Sequence, residues 1–343
     1  MAEKSAVVLF NLGGPDAPEA VQPFLFNLFN DSAIIDLPQP LRWCLATLVS
    51  HRRAPVARAI YDHIGGASPL LGLTRDQGRA LEAALADRGE LRCFIAMRYW
   101  HPMSEEAVLE GKDFAPDRIV LLPLYPQYST TTSASSITEW RAHARAVGLD
   151  APSHALCCYP TEAGLVEAHA GLIRTALNGV KGPVRLLFSA HGLPKKIVDK
   201  GDPYVWQVER SAAAVASALA GEFPGLDWTV CYQSRVGPLE WVGPSTVDEL
   251  ARAGAAGLAV VVVPIAFVSE HSETLVELDI EYRAIAEAAG VAGYVRTPAL
   301  GVGAAFIDGL ADLVRRTLDG GAALCSHRGG RLCPAALNGC PHG

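Results

Sequence analysis

Short runs of β-branched and aliphatic residues recur along this 343-residue chain, separated by longer segments with helical spacing of leucine, valine and alanine. Alternating strands and helices predict parallel sheets covered by helices on both faces. The near-continuous apolar run Leu258–Pro264 is typical of a strand buried on both sides. The other predicted strands are Ala6–Leu12, Arg92–Met97, Arg118–Leu124, Ser153–Cys158, Val184–Ser189, Trp228–Tyr232 and Tyr294–Arg296, and predicted helices include Thr74–Arg88, Leu165–Asn178 and Pro203–Ala220.

The two halves of the chain share a pattern. The segments 10–14 and 188–192 each end a strand in a glycine turn, and Pro123 and Pro264 each close a strand before a turn and a helix. We interpret this as two similar Rossmann-like, doubly wound α/β domains with parallel four-stranded sheets; chance similarity between buried strands is the alternative. The predicted division is 1–145, 146–300, and 301–343 for a last helix and a cysteine-rich tail. Ligands of such domains bind at the carboxyl ends of the strands.

Composition excludes several classes of protein. Half of the residues are apolar and 19% are charged, which leaves ample material for buried cores. The net charge of −7, without a lysine- or arginine-rich run, predicts no nucleic-acid partner. The longest apolar stretch, Ala253–Val268, is interrupted by Gly257 and Pro264 and is shorter than the roughly 20 residues that span a bilayer. We expect a soluble cytoplasmic protein whose cysteines are mostly reduced.

A histidine follows the buried strand 184–189. His191 stands before Gly192 and Pro194, which mark a turn. A neutral imidazole at the carboxyl end of a strand can accept a proton or bind a metal near pH 7. A hydrogen bond to a neighbouring loop is the simpler alternative.

A row of acids follows the strand that ends at Pro264. Glu273, Glu277 and Glu281 are spaced by four on a helix that is predicted to begin near Ser269. Like charges on one helical face are unfavourable unless the face meets water, a partner or a cation. Because the row begins directly after a buried strand, we favour a cation path with His271 and Glu270 beside it. A local π-turn would align the acids better, but the sequence does not determine one.

Aromatic and cationic residues also follow predicted strands. Arg98 and Tyr99 follow one strand, Tyr125 follows the next, and Trp241 comes later in the chain. Such residues could sandwich a large flat ligand and pair with its carboxylates; ordinary core aromatics with structural ion pairs are the alternative. The glycine-rich turns match neither GxGxxG nor a Walker pattern, so we predict no nucleotide or phosphate binding.

Together these segments resemble the ferrochelatases, lyases that insert Fe²⁺ into protoporphyrin IX in the last step of heme biosynthesis. The resemblance is carried by FNLGGPD at 10–16, IGGASP at 64–69, MRYWHP at 97–102, LYPQYSTTT at 124–132, FSAHGLP at 188–194, GDPY at 201–204, QSRVGPLEW at 233–241 and PIAFVSEHSETLVELDIEY at 264–282. It implies two Rossmann-like domains that hold the porphyrin between them. It also implies roles for individual residues: catalysis and iron binding by His191 and Glu273; an acidic path through Glu277 and Glu281 with His271 beside it; porphyrin contacts by Leu12, Arg98, Tyr99, Tyr125 and Trp241.

The cysteine-rich tail resembles that of family members with a 2Fe–2S cluster, which needs four ligands. The cysteine that animal members carry after YPQYS is Thr130 here, and we expect Cys158 to replace it. The tail supplies Cys333 and Cys340, and the fourth ligand is either Cys325 or His342. A zinc site on the same ligands and a disordered tail of free thiols are the alternatives.

The resemblance also suggests partners. The apolar segment Val21–Leu37 corresponds to a lip of the porphyrin pocket that contacts the membrane peripherally at its inner face; core packing of an amphipathic helix is the alternative. The oligomeric state is open, with a homodimer as one candidate. Two other functions stay in view: a chelatase for cobalt or coproporphyrin, and a porphyrin or heme carrier without insertion activity. A carrier needs aromatic walls but no acidic metal path.

Overall fold

Two parallel sheets form the framework of the protein. The computed structural model describes residues 3–235 and 237–342, which divide into two compact units. The first unit comprises residues 3–157 and 311–326, and the second comprises 158–235, 237–310 and 327–342.

The first unit contains a five-stranded sheet. Its strands are β1 (Lys4–Asn11), β2 (Glu90–Met97), β3 (Arg118–Pro123), β4 (Ser153–Leu156) and β9 (Leu324–Cys325), in the order β2-β1-β3-β4-β9. All neighbouring strands are parallel. The second unit contains a four-stranded parallel sheet of β5 (Val184–His191), β6 (Asp227–Gln233), β7 (Ala259–Pro264) and β8 (Gly293–Arg296), in the order β6-β5-β7-β8. The first four strands of each unit therefore have the same order, which confirms the predicted similarity of the halves.

The apolar run of β7 shows why these segments become central strands. Successive strand residues point to opposite faces of a sheet. Val261 and Val263 pack in the hydrophobic cluster on one face of the second sheet, and Val260 and Val262 pack in the cluster on the other face. Because helices cover both faces, every position of the strand is buried, and each valine contributes roughly 1.5–3 kcal/mol.

Helices connect the strands in the alternating order that the sequence predicts. They are α1 (Val21–Phe29), α2 (Gln39–Asp62), α3 (Leu70–Ala84), α4 (Ser104–Phe114), α5 (Ser133–Val147), α6 (Ala163–Leu177), α7 (Lys195–Asp199), α8 (Tyr204–Leu219), α9 (Thr246–Ala255), α10 (Tyr282–Ala288) and α11 (Ala304–Gly320). A π-helix over Glu273–Glu281 leads directly into α10. In the described part of the chain, no helix is long and apolar enough to cross a membrane.

Three sequence expectations differ from the structure. The first sheet has five strands rather than four, because Leu324 and Cys325 pair with β4. The boundary expected at residue 145 falls inside α5, and residues 301–343 are shared between the units rather than forming a separate region. The helix expected over Thr74–Arg88 is α3, which begins at Leu70 after the Ser68–Pro69 turn and ends before a short 3₁₀ turn.

Candidate active site

The second sheet has its topological switch point between β5 and β7. From β5 the chain moves to β6 on one side of the sheet and then returns to β7 on the other side. Ligands of open parallel sheets bind at this point, outside the carboxyl ends of the strands. His191 is the last residue of β5, and the segment after β7 leads into the π-helix that begins at Glu273. The fold therefore brings together His191 and Glu273, the two residues predicted to form the reaction centre.

The imidazole of His191 is held in one orientation. Its Nδ1 lies 2.6 Å from the carbonyl oxygen of Gly192, and its Nε2 lies 3.7 Å from Oε1 of Glu273. Because a carbonyl oxygen only accepts hydrogen bonds, Nδ1 carries the proton and donates. In the neutral ring, the lone pair of Nε2 then faces the carboxylate. A shared cation or proton stabilises two such bases.

His271 approaches the same carboxylate in a similar way. Its Nδ1 contacts the carbonyl of Ser269 at 3.3 Å, and its Nε2 lies 3.7 Å from Oε2 of Glu273. Burial alone would raise the pKa of Glu273, but the neighbouring His191 and His271 and a hydrogen bond from Ser234 lower this pKa to about 2. This environment favours the carboxylate form of Glu273 between the two imidazoles.

The π-helix accounts for the spacing of the acids. Glu273, Glu277 and Glu281 lie at its start, middle and end. A π-helix has more residues per turn than an α-helix, so residues four apart align more closely along its axis. The sequence did not determine whether the three acids lie on an α-helix or on a π-turn. The structure places them on a π-helix, and π-helical turns are frequent at functional sites.

Glu277 is tightly hydrogen-bonded. Its carboxylate accepts from the backbone N–H and the hydroxyl of Ser234, the amide of Gln233 and the hydroxyl of Tyr282, at 2.5 to 3.0 Å. Burial and the charge of Glu273 raise the pKa of Glu277. Ser234 makes these contacts from a left-handed backbone conformation, with φ of 62°. Neither Ser234 nor Tyr282 was predicted from the sequence to have a role. Ser234 lies 43 residues before Glu277, so no spacing rule relates the two.

Comparison with known proteins identifies the family. A family model described as Ferrochelatase matches residues 4–318. A protein named Ferrochelatase from Caulobacter vibrioides is 54% identical over 99% of this chain and 98% of its own length, and one from Phenylobacterium zucineum is 57% identical over 98% and 97%. The chain belongs to the ferrochelatase family.

Solved structures agree at the level of the fold. SirB from Bacillus subtilis, determined with Fe³⁺, has a TM-score of 0.54 to this ferrochelatase-family chain, covering 92% of it and 95% of SirB. At 13% sequence identity, this likeness shows the chelatase fold alone.

In this ferrochelatase-family protein, Trp241, which is predicted to contact the porphyrin, packs against Gly192, the residue that follows His191. A Cβ added at Gly192 would lie 3.1 Å from the Trp241 ring and 2.8 Å from the carbonyl oxygen of Gln233. Glycine is therefore required at this position, because any side chain would push the indole away from the end of β5. The indole nitrogen of Trp241 is buried and has no hydrogen-bond partner among residues 3–235 and 237–342.

The other predicted ring contacts lie in the first unit. Arg98 forms ion pairs of 2.8 Å with Asp31 and Glu139, and its Nε donates to Ser135. Tyr99 is 1% exposed, and its hydroxyl donates to Asp31 at 2.8 Å. Contact of Arg98 with a ligand carboxylate stays a prediction, and it would require Arg98 to exchange one of these partners.

Leu12 and Tyr125 follow β1 and β3, the two strands at the switch point of the first sheet. Leu12 packs in a cluster with Tyr99 and residues of α1, and Tyr125 packs against the core of the first sheet. Both side chains are partly exposed. Their positions match the expected ends of strands, and their contact with a ligand stays a prediction.

The cysteines expected to hold a cluster are buried, but they belong to two different units. Cys325 ends β9 in the first unit, where its thiol lies 3.5 Å from the Thr317 hydroxyl, whereas Cys158, Cys333 and Cys340 belong to the second unit. The Gln207 amide donates to the sulfur of Cys333 at 3.2 Å. Across the described ranges, none of the eight cysteines forms a disulfide, and no group of three or more Cys, His, Asp or Glu side chains is arranged to hold a metal ion. The expected four-ligand set is therefore not assembled among these residues.

Proposed function

We propose that this protein is a ferrochelatase that inserts Fe²⁺ into protoporphyrin IX and releases two protons. Membership of the ferrochelatase family supports the reaction class. The observation that carries the proposal is the pair of Lewis bases at the switch point of the second sheet, His191 and Glu273, whose facing atoms are 3.7 Å apart.

His191 is the proposed acceptor of the pyrrole protons. Its Nδ1–H is bonded to the Gly192 carbonyl, which fixes the tautomer and leaves Nε2 as the basic atom. The side chain is 43% exposed, so a substrate can reach it. A positioned imidazole of this kind contributes typically 10² to 10⁴-fold to the rate of a proton transfer.

Glu273 is the proposed iron-delivering residue. The neighbouring imidazoles and the Ser234 hydroxyl lower its pKa, which favours the carboxylate form that binds a divalent cation. Metal–ligand bonds of about 2.1 Å, usual for first-row divalent ions, can meet between atoms that are 3.7 Å apart. His271 supports this carboxylate from the other side.

The acidic path stays part of the proposal. Glu281 is exposed at the far end of the π-helix and Glu277 lies between it and Glu273. Because four donors already bind the Glu277 carboxylate, we assign it an electrostatic role rather than direct ligation of iron. Ring contacts by Leu12, Tyr125 and Trp241, and by Arg98 and Tyr99, complete the proposed substrate set.

The experiment that tests this function is an anaerobic insertion assay. The purified protein is mixed with Fe²⁺ and protoporphyrin IX, and the porphyrin absorbance is followed. We expect conversion to protoheme. Faster conversion with coproporphyrin or with Co²⁺ would indicate another chelatase, and tight porphyrin binding without conversion would indicate a carrier.

The 2Fe–2S cluster stays a prediction of the sequence. No step above depends on it, since the described side chains do not assemble its ligands. A reddish protein whose visible absorbance is lost with dithionite would support a cluster, and a colourless fresh preparation would contradict it.

A cytoplasmic location with peripheral membrane contact is also proposed. Support comes from large apolar side chains that are exposed on α2 and just before it: Ile34, Leu37, Leu41 and Trp43. Flotation with liposomes tests the contact, with the polar variant Leu41→Ser/Trp43→Ser as its control. A homodimer stays a prediction that sedimentation analysis can test.

A further inference from the structure

A buried arginine connects the edge strand of the second sheet with the π-helix. Arg296, the last residue of β8, has a side chain that is only 9% exposed. Its guanidinium binds Asp279 through two nitrogens, at 2.5 and 2.8 Å, and binds Glu270 at 2.8 Å. The backbone N–H of Ala299 also donates to Glu270, at 2.9 Å.

The two acids bracket the residues of the proposed site. Glu270 directly precedes His271, and Asp279 lies within the π-helix, six residues after Glu273. One guanidinium therefore fixes both ends of the segment 270–279. Tyr294, two residues before Arg296 and on the same face of β8, adds a bond from its hydroxyl to the Leu278 carbonyl at 2.7 Å.

External anchors of this kind matter for a π-helix, because isolated π-helical turns are rare. Arginine suits the task because its planar fork can bind one carboxylate through two nitrogens and a second carboxylate through the third edge. A lysine ammonium could keep the charge but not the fork geometry.

We propose that Arg296 is a positioning residue for metal insertion: by holding Glu270 and Asp279, it sets the place of the His271 imidazole and the Glu273 carboxylate. This inference rests on the proposed function. The Arg296 guanidinium bonds to Glu270, Asp279 and the Thr297 carbonyl rather than to either of those two side chains, so its effect is transmitted through the segment 270–279.

The test compares Arg296→Gln and Arg296→Lys with matched changes at Arg185. Arg185 lies on β5 of the same sheet and also pairs with two acids, Asp227 at 2.7 Å and Glu249 at 3.7 Å, but near the start of the strand. Steady-state insertion is measured with Fe²⁺ and porphyrin varied separately, at equal folded fractions.

For Arg296→Gln we expect kcat/KM for Fe²⁺ to fall by about 10 to 100-fold, the range seen when groups that orient metal ligands are removed. KM for porphyrin should change by less than about twofold, and Arg296→Lys should recover part of the loss. Arg185→Gln should leave both KM values unchanged. The same loss of Fe²⁺ kcat/KM in both glutamine variants, or in neither, would overturn the proposal.

A second measurement does not depend on activity. Amide hydrogen exchange of the full-length protein should become faster across residues 270–281 in Arg296→Gln, while β5, β6 and β7 keep their protection from exchange. Unchanged exchange in this segment would overturn the positioning role. Absence of insertion by the wild-type protein would instead reject the proposed function, and the exchange result would still show whether Arg296 holds the segment.

Discussion

The same topological position carries different chemistry in the two sheets. β1 of the first sheet ends at Asn11, and β5 of the second ends at His191, each at the switch point of its sheet. The Asn11 amide donates to Thr74 at 3.0 Å and accepts from the backbone of Leu12 at 2.9 Å. His191 instead directs its Nε2 at a carboxylate. Asn11 forms hydrogen bonds within the protein through both its amide nitrogen and its amide oxygen, whereas Nε2 of His191 lies 3.7 Å from the Glu273 carboxylate.

The polar clusters nearby differ in the same sense. In the first unit, Arg98 neutralises Asp31 and Glu139, and the Tyr99 hydroxyl completes the bonding of Asp31. In the second unit, Glu273 accepts a hydrogen bond from the Ser234 hydroxyl at 3.2 Å, and it lies 3.7 Å from each of two imidazoles, a distance longer than a hydrogen bond. This looser arrangement around Glu273 supports the proposed placement of the chemistry in the second unit.

The largest effect is expected from Glu273→Gln. This change keeps the size of the side chain but removes the charge that faces both imidazoles, and we expect iron insertion to fall by about 10³-fold or more. Glu281→Gln, at the exposed end of the π-helix, is the matched control and should stay within about tenfold of the wild type. Equal activities of the two variants, measured by porphyrin absorbance, would remove the distinction between Glu273 and the rest of the row.

Arg98→Met tests the complete network of the first unit. The change leaves the Asp31 carboxylate, which is 5% exposed, without its cation. We expect the free energy of unfolding to fall by about 3 kcal/mol, as when one partner of a buried ion pair is removed. Denaturant titration measures the loss, and the added change Asp31→Asn should recover part of it. An unchanged unfolding midpoint would show that the network contributes little to stability.

His169→Leu tests an imidazole that is 1% exposed and therefore has no access to substrate. Both ring nitrogens of His169 on α6 lack hydrogen-bond partners within the described ranges, and burial lowers its pKa to about 4. The unfolded chain takes up the proton near the ordinary pKa of about 6.5, so His169 makes the wild type lose stability as pH falls from 6.5 to 4, by about 3 kcal/mol in total.

The leucine variant lacks this contribution. The free energies of unfolding of the variant and the wild type are measured at several pH values. The difference between them should shift steadily in favour of the variant as the pH falls from about 6.5 to about 4. Parallel curves for the two proteins would show that His169 does not couple folding to protonation.

The sequence predicted the elements whose signal is local. The valines of β7 identify a central strand because they are buried on both faces of the second sheet. His191 and Glu273 could be found because each follows a strand that the apolar pattern already located. The same reasoning failed for β9, because two residues in a glycine- and cysteine-rich segment have no periodicity that could be recognised.

Long-range contacts explain what else was missed. Arg296 and Glu270 are 26 residues apart, and Ser234 and Glu277 are 43 apart, so no spacing rule relates them. The partners of Arg98 were missed for the same reason: Asp31 and Glu139 come from different elements. Sequence pattern thus located the side chains of the proposed reaction centre, while the hydrogen bonds that support them could be seen only in the fold.

A double-mutant cycle of His191 and Glu273 tests the proposed reaction centre most directly. His191→Ala, Glu273→Gln and the double variant are assayed for Fe²⁺ insertion at equal folded fractions. If the two side chains act as one unit, the double variant should be little slower than the slower single variant. Near-normal insertion by either single variant, or losses that simply multiply, would contradict a shared role of the imidazole and the carboxylate.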